Sequence, residues 1–135
     1  MNILVCLDDR DGMLFNQRRQ SADAAVCKCI RELTKDRCLR MNAYSSSLFP
    51  EDDDLYIGDD FLSQAGEDDW CFVEKEDVLP LLDQVKTVVI FRWNRVYPRD
   101  TYFPMIELRA RWKLVETIEF PGSSHERITQ ERYER

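Results

Sequence analysis

The sequence predicts one α/β domain whose sheet is mixed but mainly parallel, with antiparallel strands near the C-terminus. Up to residue 92, short apolar runs suited to buried strands alternate with helical patterns, which is the order of βαβ units. After Pro104 the pattern changes, and two strands are predicted over 112–120 and 126–133, around a turn at 121–124. A chain of 135 residues, 44% apolar and 33% charged, suits a single globular domain over 1–135.

The first strand and the first helix are predicted from residues 3–34. Residues 3–7 are apolar and are followed by an acidic turn, which indicates a buried strand. Ser21 is the predicted N-cap of a helix over about 21–34, because apolar side chains recur there on one stripe at helical spacing. The residues between these elements, up to Gln20, are predicted to form a loop.

Three further strands are predicted in the middle of the chain, at 38–41, 55–57 and 70–73. Asp77 is predicted to cap a helix that has Pro80 in its first turn and that buries Leu79 and Leu82. Residues 87–91 are continuously apolar and rich in β-branched side chains, which is typical of a central strand covered on both faces.

The charge and the composition exclude some classes of binding partner and predict a cellular location. The formal charge of −7 repels polyanions, so we expect no association with nucleic acid or with an acidic membrane surface. No apolar run approaches the roughly 20 residues of a membrane span, and no secretory pattern is present, so a cytoplasmic location is expected. Five irregularly spaced cysteines favour reduced thiols over disulfides.

No metal site is expected. His125 is the only histidine, and the acidic runs lack the alternating ligands and central glycine of a calcium loop. Cys27 and Cys29 are two positions apart on the predicted helix, so their thiols point in different directions.

Segments at both ends of the chain resemble dihydrofolate reductases. Residues 99–104 read Arg-Asp-Thr-Tyr-Phe-Pro, and a strand that starts at Trp112 and a last strand ending in Tyr133-Glu134-Arg135 follow, as in that family. Residues 2–8, with Gly12 after them, are similar to the family's first strand and the start of its mobile loop. The resemblance implies a three-layer α/β/α sandwich with a mixed, mainly parallel sheet and antiparallel C-terminal strands.

The middle of the chain departs from the family where the family binds its ligands. Residues 73–76 read Val-Glu-Lys-Glu in place of the paired glycines that approach the cofactor, and Leu14 replaces a second glycine of the mobile loop. Residues 42–45 stand where the family has a basic phosphate-binding motif, and contain no basic residue. Asp23 is the only candidate for the catalytic carboxylate, and Phe91 replaces its supporting threonine. NADPH binding is therefore disfavoured, and no cofactor is expected.

A cluster of basic and aromatic residues follows the predicted strands. Arginines after the first strand and after the central strand should meet at the carboxyl edge of a parallel sheet, where such sheets bind ligands. We interpret them, with their neighbours, as a clamp for one small anion. The residues of this predicted site are Arg18, Arg19, Arg92, Trp93, Asn94, Arg95 and Tyr97. Alternatively, the arginines pair with the many acidic side chains and hold loops in place.

The function predicted from these observations is binding of a small anionic molecule without dihydrofolate reductase activity. One alternative is a reductase or another small-molecule enzyme that uses Asp23 and the arginines with an altered cofactor. Another alternative is a protein-interaction module that exposes its polar terminal strand as a sheet edge. The sequence leaves the ligand and the oligomeric state open.

Overall fold

The computed structural model describes residues 1–135 and contains ten strands, three α-helices and one 3-10 helix. The strands are Asn2–Leu7 (β1), Gly12–Phe15 (β2), Arg18–Arg19 (β3), Leu39–Met41 (β4), Tyr56–Ile57 (β5), Trp70–Val73 (β6), Thr87–Arg92 (β7), Thr101–Tyr102 (β8), Lys113–Phe120 (β9) and Ile128–Glu134 (β10). The α-helices are Ala24–Leu33 (α1), Ala43–Ser46 (α2) and Met105–Arg111 (α3), and the 3-10 helix is Leu79–Gln84. None of the helices is long and apolar enough to cross a membrane.

Seven strands form one sheet in the order β5-β4-β6-β1-β7-β10-β9. Strand β1 pairs in parallel with β6 and β7, while β10 pairs antiparallel with β7 and β9. All six residues of β7 are buried, as its continuous apolar run requires of a strand between two neighbours. The predicted mixed sheet with antiparallel C-terminal strands is confirmed.

The sheet is covered by apolar layers on both faces. Side chains alternate along β1, so that Ile3 and Val5 pack on one face and Leu4 on the other. Helix α3 covers the first face through Leu108, and α1 covers the second through Ile30. The predicted three-layer α/β/α arrangement is therefore confirmed.

Three local predictions need correction. Helix α1 begins after Asp23, whose Oδ1 accepts the N–H of Ala25 at 2.8 Å, so Asp23 and not Ser21 is the N-cap. The segment at 79–84 is a 3-10 helix, and Leu79, at 44% exposure, is not buried as predicted. The terminal strand is not an edge, because β10 lies inside the sheet and β9 forms the edge.

A small second sheet, in the order β3-β2-β8, was missed by the sequence analysis, which predicted a loop there. Asn16 and Gln17 both have positive φ, at 51° and 60°, and join β2 to β3 as a tight hairpin. Asn-Gly is the strong sequence signal for such a turn, and Asn-Gln is not. The hairpin packs beside Tyr97 and Pro98 and builds one wall of the cavity described next.

Candidate functional site

A surface cavity of about 490 Å³ lies between the β2–β3 hairpin and the segment that follows β7. We call it the hairpin cavity; its lining residues are Phe15, Asn16, Arg18, Arg19, Gln20, Tyr97 and Pro98. It contains three of the seven predicted site residues, since Arg18, Arg19 and Tyr97 line it together.

Arg18 forms the charged wall of this cavity, and Phe15 forms an apolar wall. The Arg18 side chain is exposed and forms no ion pair, whereas Arg19 and Arg92 are both paired with carboxylates. The Phe15 ring is 42% exposed. Gln20 adds an amide whose Nε2 donates to Asp8, while its buried Oε1 has no hydrogen-bond partner.

Arg19 is held in an internal cluster. Its Nε and Nη2 atoms donate to the two carboxylate oxygens of Glu74 at 2.9 and 3.0 Å, in the bidentate geometry that suits arginine. Ser45 Oγ donates to the same carboxylate at 2.8 Å, and the Arg19 guanidinium lies 4.2 Å from the centre of the Tyr44 ring. We call these four residues the Arg19–Glu74 cluster.

The Arg19–Glu74 cluster borders a narrow space at the carboxyl ends of the central strands. This inner cleft has a volume of about 10 Å³, and its walls are Cys6, Met13, Arg19, Gln20, Ser21, Val73, Glu74 and Trp93. Burial, and secondly the Glu74 carboxylate, raise the pKa of Cys6 well above its usual value. The cleft has room for about one water molecule and none for a ring.

Arg92 does not meet Arg18 in one cleft, as the sequence analysis expected. Its side chain is buried, and Nη1 donates to the Asp8 carbonyl at 3.0 Å and to Asp11 at 2.6 Å, while Nε donates to Glu131 at 3.1 Å. Burial opposes the charge, yet pairing with Asp11 and Glu131 raises the pKa of Arg92 above its usual value. Arg92 therefore links the turn that follows β1, at residues 8–11, to strand β10.

The remaining predicted site residues also lie apart from the hairpin cavity. Trp93, Asn94 and Arg95 line a separate depression of about 310 Å³ with Glu126 and Arg127. The residues of the predicted clamp are thus divided between two depressions, on either side of the bend that follows β7. Asn94, with a φ of 58°, adopts the left-handed conformation at this turn.

Asp23, the only sequence candidate for a catalytic carboxylate, is buried in a dense set of donors. Its oxygens accept backbone N–H groups from Ala25, Ser123, Ser124 and His125, and Nδ1 of the His125 ring lies 2.9 Å from Oδ2. Burial alone would raise its pKa, but these donors, with the N–H of Ser123 foremost, hold the pKa of Asp23 well below its usual range. A carboxylate so occupied is a poor proton donor to a ligand.

The sequence analysis named His125 only as evidence against a metal site, and predicted no other role for it. It is 5% exposed, and the Trp93 ring stacks on it with centroids 4.6 Å apart. Its Nε2 lies 3.0 Å from Ser21 Oγ and 3.0 Å from the Tyr97 hydroxyl. No sequence signal links Ser21 to a histidine 104 positions later, since only the tertiary fold brings them together.

The comparisons with known proteins identify the fold. No protein-family model and no curated protein matches the chain. Among solved structures, the chain is similar to dihydrofolate reductase from Enterococcus faecalis, in a complex with NADP(H) and RAB-propyl. The TM-score is 0.70 over 99% of this chain and 95% of that one, with 12% sequence identity. The chain therefore has a dihydrofolate reductase-like fold.

Proposed function

We propose that this chain binds a small anionic molecule in the hairpin cavity and does not reduce dihydrofolate. One observation carries the proposal: Arg18 presents an unpaired, exposed guanidinium on the wall of the cavity, in a protein with a net charge of −7. An unpaired guanidinium gains charge-assisted hydrogen bonds from a carboxylate or a single phosphate, whereas a long polyanion meets the acidic remainder of the surface.

The other walls of the hairpin cavity favour a ligand with a flat apolar part. The rings of Phe15 and Tyr97 line the cavity, and its volume of about 490 Å³ falls within the range of small-molecule sites. The unpartnered Oε1 of Gln20 would be satisfied by a hydrogen-bond donor. An aromatic or heterocyclic acid with an N–H or O–H group fits these walls.

The inner cleft supports the second half of the proposal. Glu74 follows β6 directly, and its carboxylate repels the phosphates of a dinucleotide. Arg19, the nearest cation, already neutralises that carboxylate and has little charge left for a ligand. The buried Phe91 offers no hydroxyl, and the oxygens of Asp23 are occupied by backbone donors. NADPH and a pterin are therefore disfavoured ligands.

A second candidate function, a protein-interaction module, is favoured by the edge strand β9. Leu114, Val115 and Ile118 on this strand are about half exposed, and its outer backbone groups have no neighbouring strand. Light scattering at increasing protein concentration tests self-association through this edge. A monomer that does not change with concentration would remove that form of the candidate.

The proposed function is tested by thermal shifts with small organic acids and nucleotides, because a ligand that binds only the native state raises the melting temperature. We expect at least one small acid to stabilise the wild type and to lose this effect in Arg18→Ala. Arg109→Ala is the matched control, since Arg109 is also exposed and lies in a different depression. If no anion stabilises the wild type, or if stabilisation survives Arg18→Ala, the proposal is wrong.

A further inference from the structure

Ser21, His125 and Asp23 form a continuous chain of side-chain hydrogen bonds. Ser21 Oγ lies 3.0 Å from His125 Nε2, and His125 Nδ1 lies 2.9 Å from Asp23 Oδ2. The ionised Asp23 only accepts hydrogen bonds, so it fixes the proton of a neutral imidazole on Nδ1 and leaves the lone pair on Nε2. Nε2 is then the acceptor for the hydroxyls that contact it, and Ser21, His125 and Asp23 stand in the order of nucleophile, base and orienting carboxylate that activates a serine.

The His125 base and the Asp23 carboxylate are held in place and buried, while Ser21 is partly exposed. Asp23 is fixed by four backbone N–H groups, and Trp93 stacks on the His125 ring. Both Asp23 and His125 are buried, whereas Ser21 is partly exposed and lines the inner cleft. A reagent can therefore reach these three hydrogen-bonded side chains only at Ser21.

One donor for a developing oxyanion, the Tyr97 hydroxyl, lies near Ser21. The Tyr97 hydroxyl lies 3.0 Å from the same Nε2 that Ser21 contacts, so the two hydroxyls converge on one point. Once Nε2 has taken the serine proton it no longer accepts, and the Tyr97 O–H is released for another acceptor.

We propose that Ser21 is the nucleophile of an acyl-transfer site that hydrolyses small esters, with His125 as general base and Asp23 as the positioning residue. Ser21 Oγ attacks the ester carbonyl carbon as its proton passes to Nε2. The bond from that carbon to the alkoxy oxygen then breaks, and the leaving alcohol takes the proton from Nε2. Water attacks the acyl-serine and gives a proton to Nε2; breakdown releases a carboxylic acid and returns the proton to Ser21.

The surroundings of Ser21 indicate the class of ester. The inner cleft holds about one water molecule, so the acyl group must be short and must stay on the exposed side of Ser21. Arg19 and Gln20 line both the inner cleft and the hairpin cavity, so an ester with a second, anionic group could place that group beside Arg18. This choice of an anionic ester rests on the proposed function, whereas the acylation of Ser21 does not.

The test uses the full chain and para-nitrophenyl acetate, an uncharged ester with a short acyl group. We expect release of nitrophenol and a single acetyl group on the peptide that contains Ser21, found by mass spectrometry. Ser21→Ala removes one hydrogen bond and leaves the Asp23–His125 pair in place, so it should fold. This variant should release nitrophenol more slowly than the wild type and should carry no acetyl group on that peptide. His125→Gln should lower the acylation rate by about 100-fold or more, which is the contribution of a general base.

Two further variants separate the possible failures. Tyr97→Phe should slow acylation while the acetyl group stays on Ser21. Arg109→Ala changes an exposed arginine in a different depression and should leave the reaction unchanged. Because the ester carries no charge, a failure of anion binding at Arg18 does not affect the acylation test. No acetyl group on wild-type Ser21, acetylation of Tyr97 or of lysines instead, or an unchanged rate in Ser21→Ala would each overturn the proposal.

Discussion

Arg18 and Arg19 are neighbours on the two-residue strand β3, and their side chains meet opposite environments. The Arg19 side chain is 20% exposed and is held by both oxygens of Glu74, which is 8% exposed. The Arg18 side chain is exposed and unpaired on the wall of the hairpin cavity. Side chains alternate in direction along a strand, which lets Arg19 reach Glu74 while Arg18 stays exposed, although both arginines line the hairpin cavity.

The comparison shows that one short strand can place one arginine in an internal ion pair and leave its neighbour unpaired. In the Arg19–Glu74 cluster, an ion pair, a serine hydroxyl and a tyrosine ring fill one end of the sheet. The cavity beside Arg18 has no internal carboxylate to neutralise it. Charge that is satisfied inside the protein stabilises the fold, and charge that is left unsatisfied at a cavity is available to a ligand.

The largest expected effect comes from breaking the Arg19–Glu74 cluster. Glu74→Ala leaves the partly buried Arg19 and the Ser45 hydroxyl without their acceptor and should lower the free energy of unfolding by about 3 kcal/mol. Urea unfolding measures this change. The matched control is Asp83→Ala, which breaks an exposed ion pair with Arg111 and should change the stability little. Equal losses in the two variants would show that the cluster is not a structural unit.

A smaller loss of stability is expected for Asp23→Asn. The substitution keeps the shape but replaces one acceptor oxygen with an NH₂ group that faces backbone N–H donors, at a cost of about 2 kcal/mol. The native pKa values of Asp23 and Asp8 are lowered, so their contribution is fully present above pH 4 or so and is lost as the pH falls through the native pKa values. Melting temperatures measured from pH 7 to pH 3 should therefore fall for the wild type and fall less for Asp23→Asn, which lacks this carboxylate. Parallel curves would contradict this role.

Thiol reactivity reports on the inner cleft without unfolding the protein. Cys6 lines the cleft beside Glu74 and has a raised pKa, whereas Cys38 is exposed. Iodoacetamide should modify Cys38 well before Cys6 in the wild type, since the thiolate is the reactive form. Glu74→Ala should raise the rate at Cys6 and leave Cys38 unchanged. If Cys6 reacts as fast as Cys38 in the wild type, the cleft is not closed.

The smallest effect on stability is expected at Arg18. Arg18→Ala removes an exposed, unpaired side chain and should change the free energy of unfolding by no more than about 0.5 kcal/mol. Thermal unfolding without added ligand measures it. A large loss would mean that Arg18 is held by the fold, as Arg19 is, and is not available to a ligand.

The sheet was predictable from sequence because its signals are local. The apolar run of β7 and the turn between β9 and β10 specify a central strand and an antiparallel pair. The pairing of each arginine was not predictable, because Glu74 and Arg19 are 55 positions apart and Glu131 and Arg92 are 39 apart. Helix α3 was missed because its seven residues form only about two turns, too few for a helical repeat of apolar side chains to be recognised.

The most direct test of the contrast between the Arg19–Glu74 cluster and the hairpin cavity is a calorimetric titration of the wild type with NADPH, beside a small acid that stabilises the protein in the thermal-shift experiment. We expect heat of binding for the acid, lost in Arg18→Ala, and none for NADPH, because the Glu74 carboxylate at the inner cleft repels phosphates. Saturable binding of NADPH at micromolar concentration would contradict it.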